Sequence, residues 1–521
     1  MKDKKSHRSP RLIGRRDIIK GLATIPILGA IAYGIYRKKR LYTNYKNNIL
    51  DELKLNPLPV SISRKVNKEK LIRLGIIGFG IRGRDLLRAA GFPEPKWIDN
   101  AKDAAKKNKL DTTFNDYMDQ EDLNLVVNGI CDIFDIHAEE ALLAGANIYR
   151  EGVNGRKGTL PKRYLNYKEL VSSPDIDAVI IAAPDHWHAP IAMEAAKNGK
   201  HVYCEKPMTW SVKETYEMVK IVKDSGITFQ LGHQGIQNEY FSVAKQLLDR
   251  NILGKISLIE LTTNRNSPNG AWVYPIHPDA SPLNIDWDQF IGQAPYHKFS
   301  LERFFRWRCW WDYSLGLSGD LMTHEYDIIN HLIGIGIPYS AVSSGGIYFF
   351  KDGRTVPDVI QTAMEYPDRD LTMLYSATLS SEAHRGKLIM GHDANMEIND
   401  RLTVKADYNS TRFRKKIDKG IINPDIPLYT YVPGQNKIDG VVTPTEQYFA
   451  QRGLLYTYRN GKRVDTTHLH IKDWLDSIRS GTQPGCGIDK GFEEAITAHM
   501  SAISYRENRK VFWDKEKQAI V

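Results

Sequence analysis

Apolar positions along the chain fall into two rhythms. Up to His233, short aliphatic runs of strand length alternate with helical stretches. Leu71–Ile77, Leu125–Asp132, Ile176–Ala183, His201–Cys204 and Ile227–Leu231 read as strands; Arg82–Ala90, Ala138–Ala144, Pro190–Asn198 and Val212–Lys223 read as helices. That alternation predicts a parallel sheet with helices on both faces, an α/β doubly wound domain. From Glu239 the pattern changes. After a helix at Phe241–Leu248, strand-like runs at Lys255–Thr263, Ala341–Phe349, Ile360–Tyr366, Thr372–Leu379 and Lys387–Met390 predict a second, α+β domain with an open, mostly antiparallel sheet. The turn-rich stretch 394–447 yields no assignment, and the C-terminus reads as helices at Ile471–Ile478 and Phe492–Asn508. The expected organisation is a leader (1–40), a linker (41–70), a nucleotide-binding domain (71–235) and a substrate and oligomerisation domain (236–521).

The first strand runs into Gly78-Phe79-Gly80-Ile81-Arg82-Gly83, a G-x-G-x-x-G turn opening a helix. In a Rossmann dinucleotide site the first glycine makes the tight turn, the second admits a pyrophosphate and the third lets helix pack on strand. The phosphates lie on the helix-start N–H groups. Asp132, closing the second strand, is the candidate ribose ligand and favours NAD over NADP, with NADP left open. It lies 49 residues beyond Gly83 (132 − 83) instead of about 20, so an insertion occupies 91–124.

At 521 residues with 26% charged, the chain is globular and multi-domain. Its net charge of +10 is local: twelve of 72 Lys/Arg and two of 62 Asp/Glu lie in residues 1–40, leaving 60 against 60. That balance excludes a basic nucleic-acid footprint on the folded body. Cys131, Cys204, Cys309 and Cys486 show no metal-ligand spacing and read as buried free thiols. No metal site is expected, since His186 and His188 lack a third ligand at useful spacing.

Gly14-Arg15-Arg16-Asp17-Ile18-Ile19-Lys20 resembles a twin-arginine export signal, followed by the uncharged stretch Gly21–Tyr36. As a helix that stretch spans about 24 Å, short of the roughly 30 Å hydrocarbon core. Ala30-Ile31-Ala32 offers a cleavage site, but Arg37-Lys38-Lys39-Arg40 follows. The expectation is a cleaved export signal or an uncleaved anchor, placing the protein in the periplasm or on the inner membrane facing it, with any membrane association through 18–40 only; the alternative is a basic cytoplasmic extension. Twin-arginine export carries folded proteins, often with cofactor in place, which suits a nucleotide-loaded enzyme.

Glu205-Lys206-Pro207 and the run Ser318-Gly319-Asp320-Leu321-Met322-Thr323-His324-Glu325-Tyr326-Asp327 follow the glycine turn. Together with Pro184-Asp185-His186-Trp187-His188, the run Arg306–Tyr313 and the tail His470–Asp476, they resemble the Gfo/Idh/MocA family of NAD(P)-dependent sugar and cyclitol oxidoreductases. The likeness covers roughly 71–515, except for the insertion and the turn-rich segment. It implies Lys206, Asp320 and His324 as catalytic residues around the substrate hydroxyl. It also implies cofactor binding by Gly78, Phe79, Gly80, Ile81, Arg82, Gly83, Asp132, Pro184, His188, Glu205 and Lys206, and substrate binding by His186, Trp187, Gln234, Arg308, Trp311 and Asp327. Asp320 and His324, four apart, share one helix face. Family motifs often carry three glycines before the Asp, whereas Leu317, Ser318 and Gly319 stand here. Trp307, Trp310 and Trp311 read individually as core and together, with the neighbouring arginines, as a carbohydrate grip.

The implied reaction is hydride transfer from a secondary hydroxyl of a sugar, glycoside or cyclitol, with His324 as general base and Lys206 stabilising the oxygen. Two alternatives remain: an NAD-dependent glycoside hydrolase working by transient oxidation and elimination, and a non-catalytic sugar-binding relative. The expected partners are a small carbohydrate and further copies of the chain.

Overall fold

The structure, a computed structural model, describes residues 32–40, 50–55, 57, 66, 70–152, 158–383, 385–399, 401–431, 456–459 and 462–521. Strands β1 (Ile72–Ile77), β2 (Leu125–Cys131), β3 (Lys162–Arg163), β4 (Ala178–Ile181), β5 (His201–Cys204) and β6 (Phe229–Leu231) form a parallel sheet in the order β3-β2-β1-β4-β5-β6. The order reverses between β1 and β4, where α/β sheets open a crevice at the strands' C-terminal ends. The insertion is two helices, Pro95–Lys107 and Thr113–Met118, set between β1's helix and β2.

The second sheet comprises β7 (Ile256–Asn264), β8 (Ser340–Gly346), β9 (Val359–Tyr366), β10 (Leu371–Thr378), β11 (Lys387–Gly391), β12 (Ala394–Ile398), β13 (Leu402–Ala406) and β14 (Tyr429–Tyr431). After the hairpin β15 (Tyr456–Arg459) and β16 (Lys462–Asp465), the chain ends in β17 (Val511–Asp514) and β18 (Ala519–Ile520). The order of the ten-stranded sheet is β14-β13-β12-β11-β7-β10-β9-β8-β17-β18, antiparallel except for β7 beside β10. Strands β12 to β14 thus come from the stretch that the sequence pattern left unassigned.

Alternate residues of β9 and β10 turn inward, the half-buried pattern of a sheet with one covered face. Met364, Met373 and Ile389 pack there beneath Leu247, Tyr326, Ile329, Ile496 and Met500 from the helices Glu239–Asp249, Thr323–Ile333 and Ile488–Glu507.

The helix Thr466–Ser480 does not pack on this second sheet. Asp465 caps its start by accepting from Thr467 N, and Gly481 (φ +68°) turns the chain out of its end. Its apolar face carries Ile471, Trp474 and Leu475 into one cluster with Leu74, Ile180 and Tyr203 of the first sheet. Arg479 donates to the carbonyls of Leu123 and Asn124. A division of the chain at 235/236 therefore leaves out a helix that completes the nucleotide domain.

The twin-arginine motif and residues 21–31 of the uncharged leader stretch lie outside the described residues; 32–40 are helical. Among the described residues no helix is long and apolar enough to cross a membrane. The four cysteines are free and buried.

Candidate active site

One cavity of about 1270 Å³ joins the ends of β1, β2 and β4 to the start of the helix Thr323–Ile333. Its first end is made of backbone. Gly78 (φ +88°) brings the turn against β4, where a Cβ would stand 2.7 Å from Ala182 O. At Gly80 a Cβ would meet nothing within 4 Å, so the backbone lies open to the cleft. A Cβ on Gly83 would strike Gly78 O at 2.3 Å, which makes this glycine a packing residue. The helix Ile81–Ala89 begins without a side-chain cap, leaving its first-turn N–H groups for a ligand. Asp132 accepts from Phe79 N and Phe134 N and lines the cleft. It anchors the turn and keeps lone pairs on both oxygens for further donors. An open glycine, uncapped donors and a carboxylate at the end of β2 fit a dinucleotide.

Arg82 bridges to the second end by donating to Glu205 Oε1 (2.7 Å) and Gln234 Oε1 (3.2 Å). Burial opposes ionisation of Glu205, but Arg82 and Lys206 outweigh it and hold its carboxyl below the usual range.

The second end is made of side chains. Lys206 Nζ, just past β5, donates to both the carbonyl oxygen and Oδ1 of Asp320, each at 2.8 Å. Arg308 Nε donates to the same Oδ1 (3.1 Å) and Trp272 Nε1 to Oδ2 (2.9 Å). Trp272 holds φ +65° to do so, a conformation uncommon for a bulky residue and found where surroundings enforce it. Burial opposes the charge on Asp320, but Lys206, Arg308 and Arg265 hold its carboxyl well below the usual carboxylate range. Lys206 has spent two of its three N–H bonds and retains one for a ligand.

Asp320 sits in a π-helical turn, Ser318–Met322, leading into the helix Thr323–Ile333. Such turns recur at functional sites. A Cβ on Gly319 would crowd Leu315 Cβ (2.6 Å) and Pro207 Cγ (3.0 Å), so this glycine lets the turn pass against the Lys206 segment. Leu317 and Ser318 face the core instead, Ser318 bonding Ser501. One glycine, at 319, therefore suffices for this turn.

His324 lines the cavity, and its Nδ1 lies 3.3 Å from His233 Nδ1. Its partner is thus His233, and Asp320 is held by Lys206, Arg308 and Trp272. Burial, then Lys206 and His233, push His324 well below the ordinary imidazole range, so its ring is neutral.

Of the residues expected from sequence, Gly78, Gly80, Ile81, Arg82, Asp132, Pro184, Trp187, His188, Glu205, Lys206, Gln234, Arg308, Asp320 and His324 line this cavity. Both ring nitrogens of His188 meet carbonyls, Pro207 O (2.7 Å) and Ala183 O (2.8 Å), tying the β4 and β5 loops together.

Five expectations are corrected. Phe79 and Gly83 do not line the cavity: the Phe79 ring is core and its N–H is taken by Asp132, and Gly83 is the packing glycine above. His186 does not line the cavity either. The helix starts at Asp185, not Pro190, and its first turn buries His186 against Phe290 O (2.8 Å). Trp311 faces away from the cleft, under Arg506 and beside Tyr505; Trp307 lines the cavity instead, with the Arg308 guanidinium 4.1 Å from its ring centroid. Asp327 is buried behind the site, 3.0 Å from His331. Sequence reasoning missed His233, Glu494 and Trp272. The available signals were a histidine directly after an apolar strand and a glutamate on the apolar face of a helix.

Geometry and fold define an α/β architecture whose first sheet carries a dinucleotide-binding turn. Residues 72–233 match the family model described as "Oxidoreductase family, NAD-binding Rossmann fold". The chain is 31% identical over 209 residues to the 2,7-anhydro-N-acetylneuraminate hydratase of Escherichia coli (strain K12), covering 39% of this chain and 46% of that protein. That match spans less than half of the relative's length. The myo-inositol 2-dehydrogenase of Thermotoga maritima is 24% identical over 401 residues, 75% of this chain and 98% of that protein. Among solved structures, a levoglucosan dehydrogenase in complex with NADH superposes with a TM-score of 0.55 at 19% identity, over 85% of this chain and 99% of that one. This likeness extends the shared fold through the second sheet.

Proposed function

We propose that the chain is an NAD-dependent oxidoreductase that oxidises a secondary hydroxyl of a sugar, glycoside or cyclitol, or reduces the corresponding ketone. The observation carrying this reading is the convergence of a buried Lys206, fixed by Asp320, and a neutral His324 on the cavity that also holds the open glycine turn. NAD, when bound, supplies the hydride acceptor. The turn Gly78–Gly80, the helix start at Ile81 and Arg82, and Asp132 would hold it.

His324 takes the hydroxyl proton at Nε2, the ring nitrogen turned from His233. The remaining N–H of Lys206 bonds the substrate oxygen and stabilises the negative charge developing there. Asp320 acts through Lys206 and Arg308, keeping both at fixed positions. Trp307 and Arg308 offer a stacked, charged wall for a ring bearing hydroxyls.

The test is direct. The purified chain should release NAD or NADH on denaturation and show absorbance at 340 nm on addition of myo-inositol or levoglucosan. Nucleotide-free protein without such turnover sinks the reading.

A second reading draws on the hydratase relative: transient oxidation followed by elimination, with no net change in cofactor. Glycoside cleavage at constant 340 nm absorbance would favour it; one NADH per product excludes it. For localisation we propose twin-arginine export, resting on Arg15 and Arg16. Replacing both with lysine should retain the protein in the cytoplasm, and unchanged fractionation refutes the proposal.

A further inference from the structure

Behind the substrate end lies a string of ionisable groups that the reaction as described leaves unused. His233 Nε2 is hydrogen-bonded to Glu494 Oε2, while its Nδ1 meets His324. Ligand-type atoms of His233, Glu494 and Asp327 all lie within 4.8 Å of one another. Asp327 continues to His331 Nδ1 (3.0 Å), and His331 Nε2 reaches Gly485 O (3.1 Å) and Cys486 Sγ (3.7 Å). Three elements assemble the string. His233 follows β6, Glu494 comes from the helix Ile488–Glu507, and His324, Asp327 and His331 lie at steps of three and four along one helix, hence on one face.

A structural role alone accounts poorly for this arrangement. Glu494 Oε1 and Asp327 Oδ2 are buried without a hydrogen-bond partner, and unpartnered carboxylate oxygens in a core cost stability. Yet the string touches the one neutral histidine that must dispose of a proton.

Resting on the oxidoreductase reading above, we propose that His233 and Glu494 form a proton relay with His324. As the substrate O–H breaks, His324 gains a proton at Nε2. Its Nδ1–H breaks and a new N–H forms at His233 Nδ1. The resulting imidazolium is held by the Glu494 carboxylate, and the hydride with its electron pair leaves the same carbon for NAD. In reduction the transfers reverse.

The groups facing His233 are Lys206 and His324 on the cleft side, Glu494 and Asp327 behind it, and His470 from the helix Thr466–Ser480, with Cys486 at its carbonyl. Burial opposes charge on His233, but Glu494 and Asp327 raise it above the ordinary imidazole range; Glu494 is itself raised by burial. These carboxylates stabilise the imidazolium that the transfer produces.

The test uses the full chain with its cofactor. In ¹⁵N-histidine NMR, with signals assigned by their loss in His324→Asn and His233→Asn, wild type should show neutral His324 carrying its proton on Nδ1. Glu494→Gln should weaken the hydrogen bond at His233 Nε2 and shift both rings. Turnover of whichever of myo-inositol or levoglucosan is accepted should fall on the order of 10- to 100-fold in kcat, with KM within about twofold and the acid limb of the pH profile displaced. Glu494→Asp should restore part of kcat. Unchanged His233 and His324 signals, an unchanged kcat profile, or one zinc per chain that is lost in Glu494→Gln would each overturn the relay. Coupled signals in a chain that oxidises no polyol count against the activity reading alone. If Glu494→Gln does not fold, His233→Asn and Glu494→Asp carry the kcat and pH readouts.

Discussion

The two ends of the cleft are built from different materials. The nucleotide end is backbone: a glycine held at φ +88°, a glycine facing open space and an uncapped helix start, all within a few residues. The other end is side chains: Lys206, Trp272 and Arg308, from distant segments, all donate to the one carboxylate of Asp320, and His324 lines the same cavity. A backbone site depends on conformation and tolerates most neighbouring changes of chemistry. A side-chain site depends on individual functional groups and fails when one is removed.

Lys206→Ala tests this contrast at its strongest. It should lower kcat by roughly 10²–10⁴-fold, as for loss of a donor to a developing oxyanion, while NAD affinity stays within about threefold. Turnover by NADH absorbance and NAD binding by fluorescence quenching measure the two; retained turnover breaks the assignment. Gly78→Ala should do the reverse. A side chain at that φ, with its Cβ 2.7 Å from Ala182 O, costs on the order of 1–3 kcal/mol. NAD binding should weaken about 10- to 100-fold, with kcat at saturating NAD largely kept; equal losses in both would erase the distinction.

Acid should unfold the molecule through its side chains. Burial lowers His186, His468, His470 and His499 to about 4. The unfolded chain takes up these protons near pH 6.5 and the fold does not, so stability falls as pH drops from about 6.5 to 4, by on the order of 1–3 kcal/mol per histidine. His331, raised, acts oppositely: its contribution is full below about 6.5 and is lost as pH rises through its folded value. Tm measured by calorimetry should drop steadily across the acidic range, and a flat profile contradicts the neutral buried rings.

The smallest effect separates two tryptophans that the sequence treats alike. Trp307→Ala should raise substrate KM about 5- to 10-fold and Trp311→Ala less than twofold; equal effects would refute the orientation of the Arg306–Tyr313 run.

These contrasts also explain what the sequence made legible. The first sheet and its turn are encoded locally, by strand-length apolar runs and glycines, so β1, β2, β4, β5 and β6 are found in place. Lys206, Asp320 and His324 stand out through motifs, and all three line the cavity. His233 and Glu494, 261 positions apart, carry no shared local signal and meet only because β6 and a C-terminal helix pack side by side. His186 was misplaced because a helix boundary moved by five residues, from Pro190 to Asp185, turning a strand-end residue into a buried one. The apolar stripe of Thr466–Ser480 announces a helix but cannot say which sheet it covers.

That helix also sets an order of events during synthesis. The nucleotide domain leaves the ribosome well before the helix that seals it, since the cluster around Leu74, Ile180 and Tyr203 waits for Trp474 and Leu475. A truncated product ending before Thr466 would expose this surface to chaperones and proteases. Stable retention of the nucleotide would then certify that translation has passed Leu475.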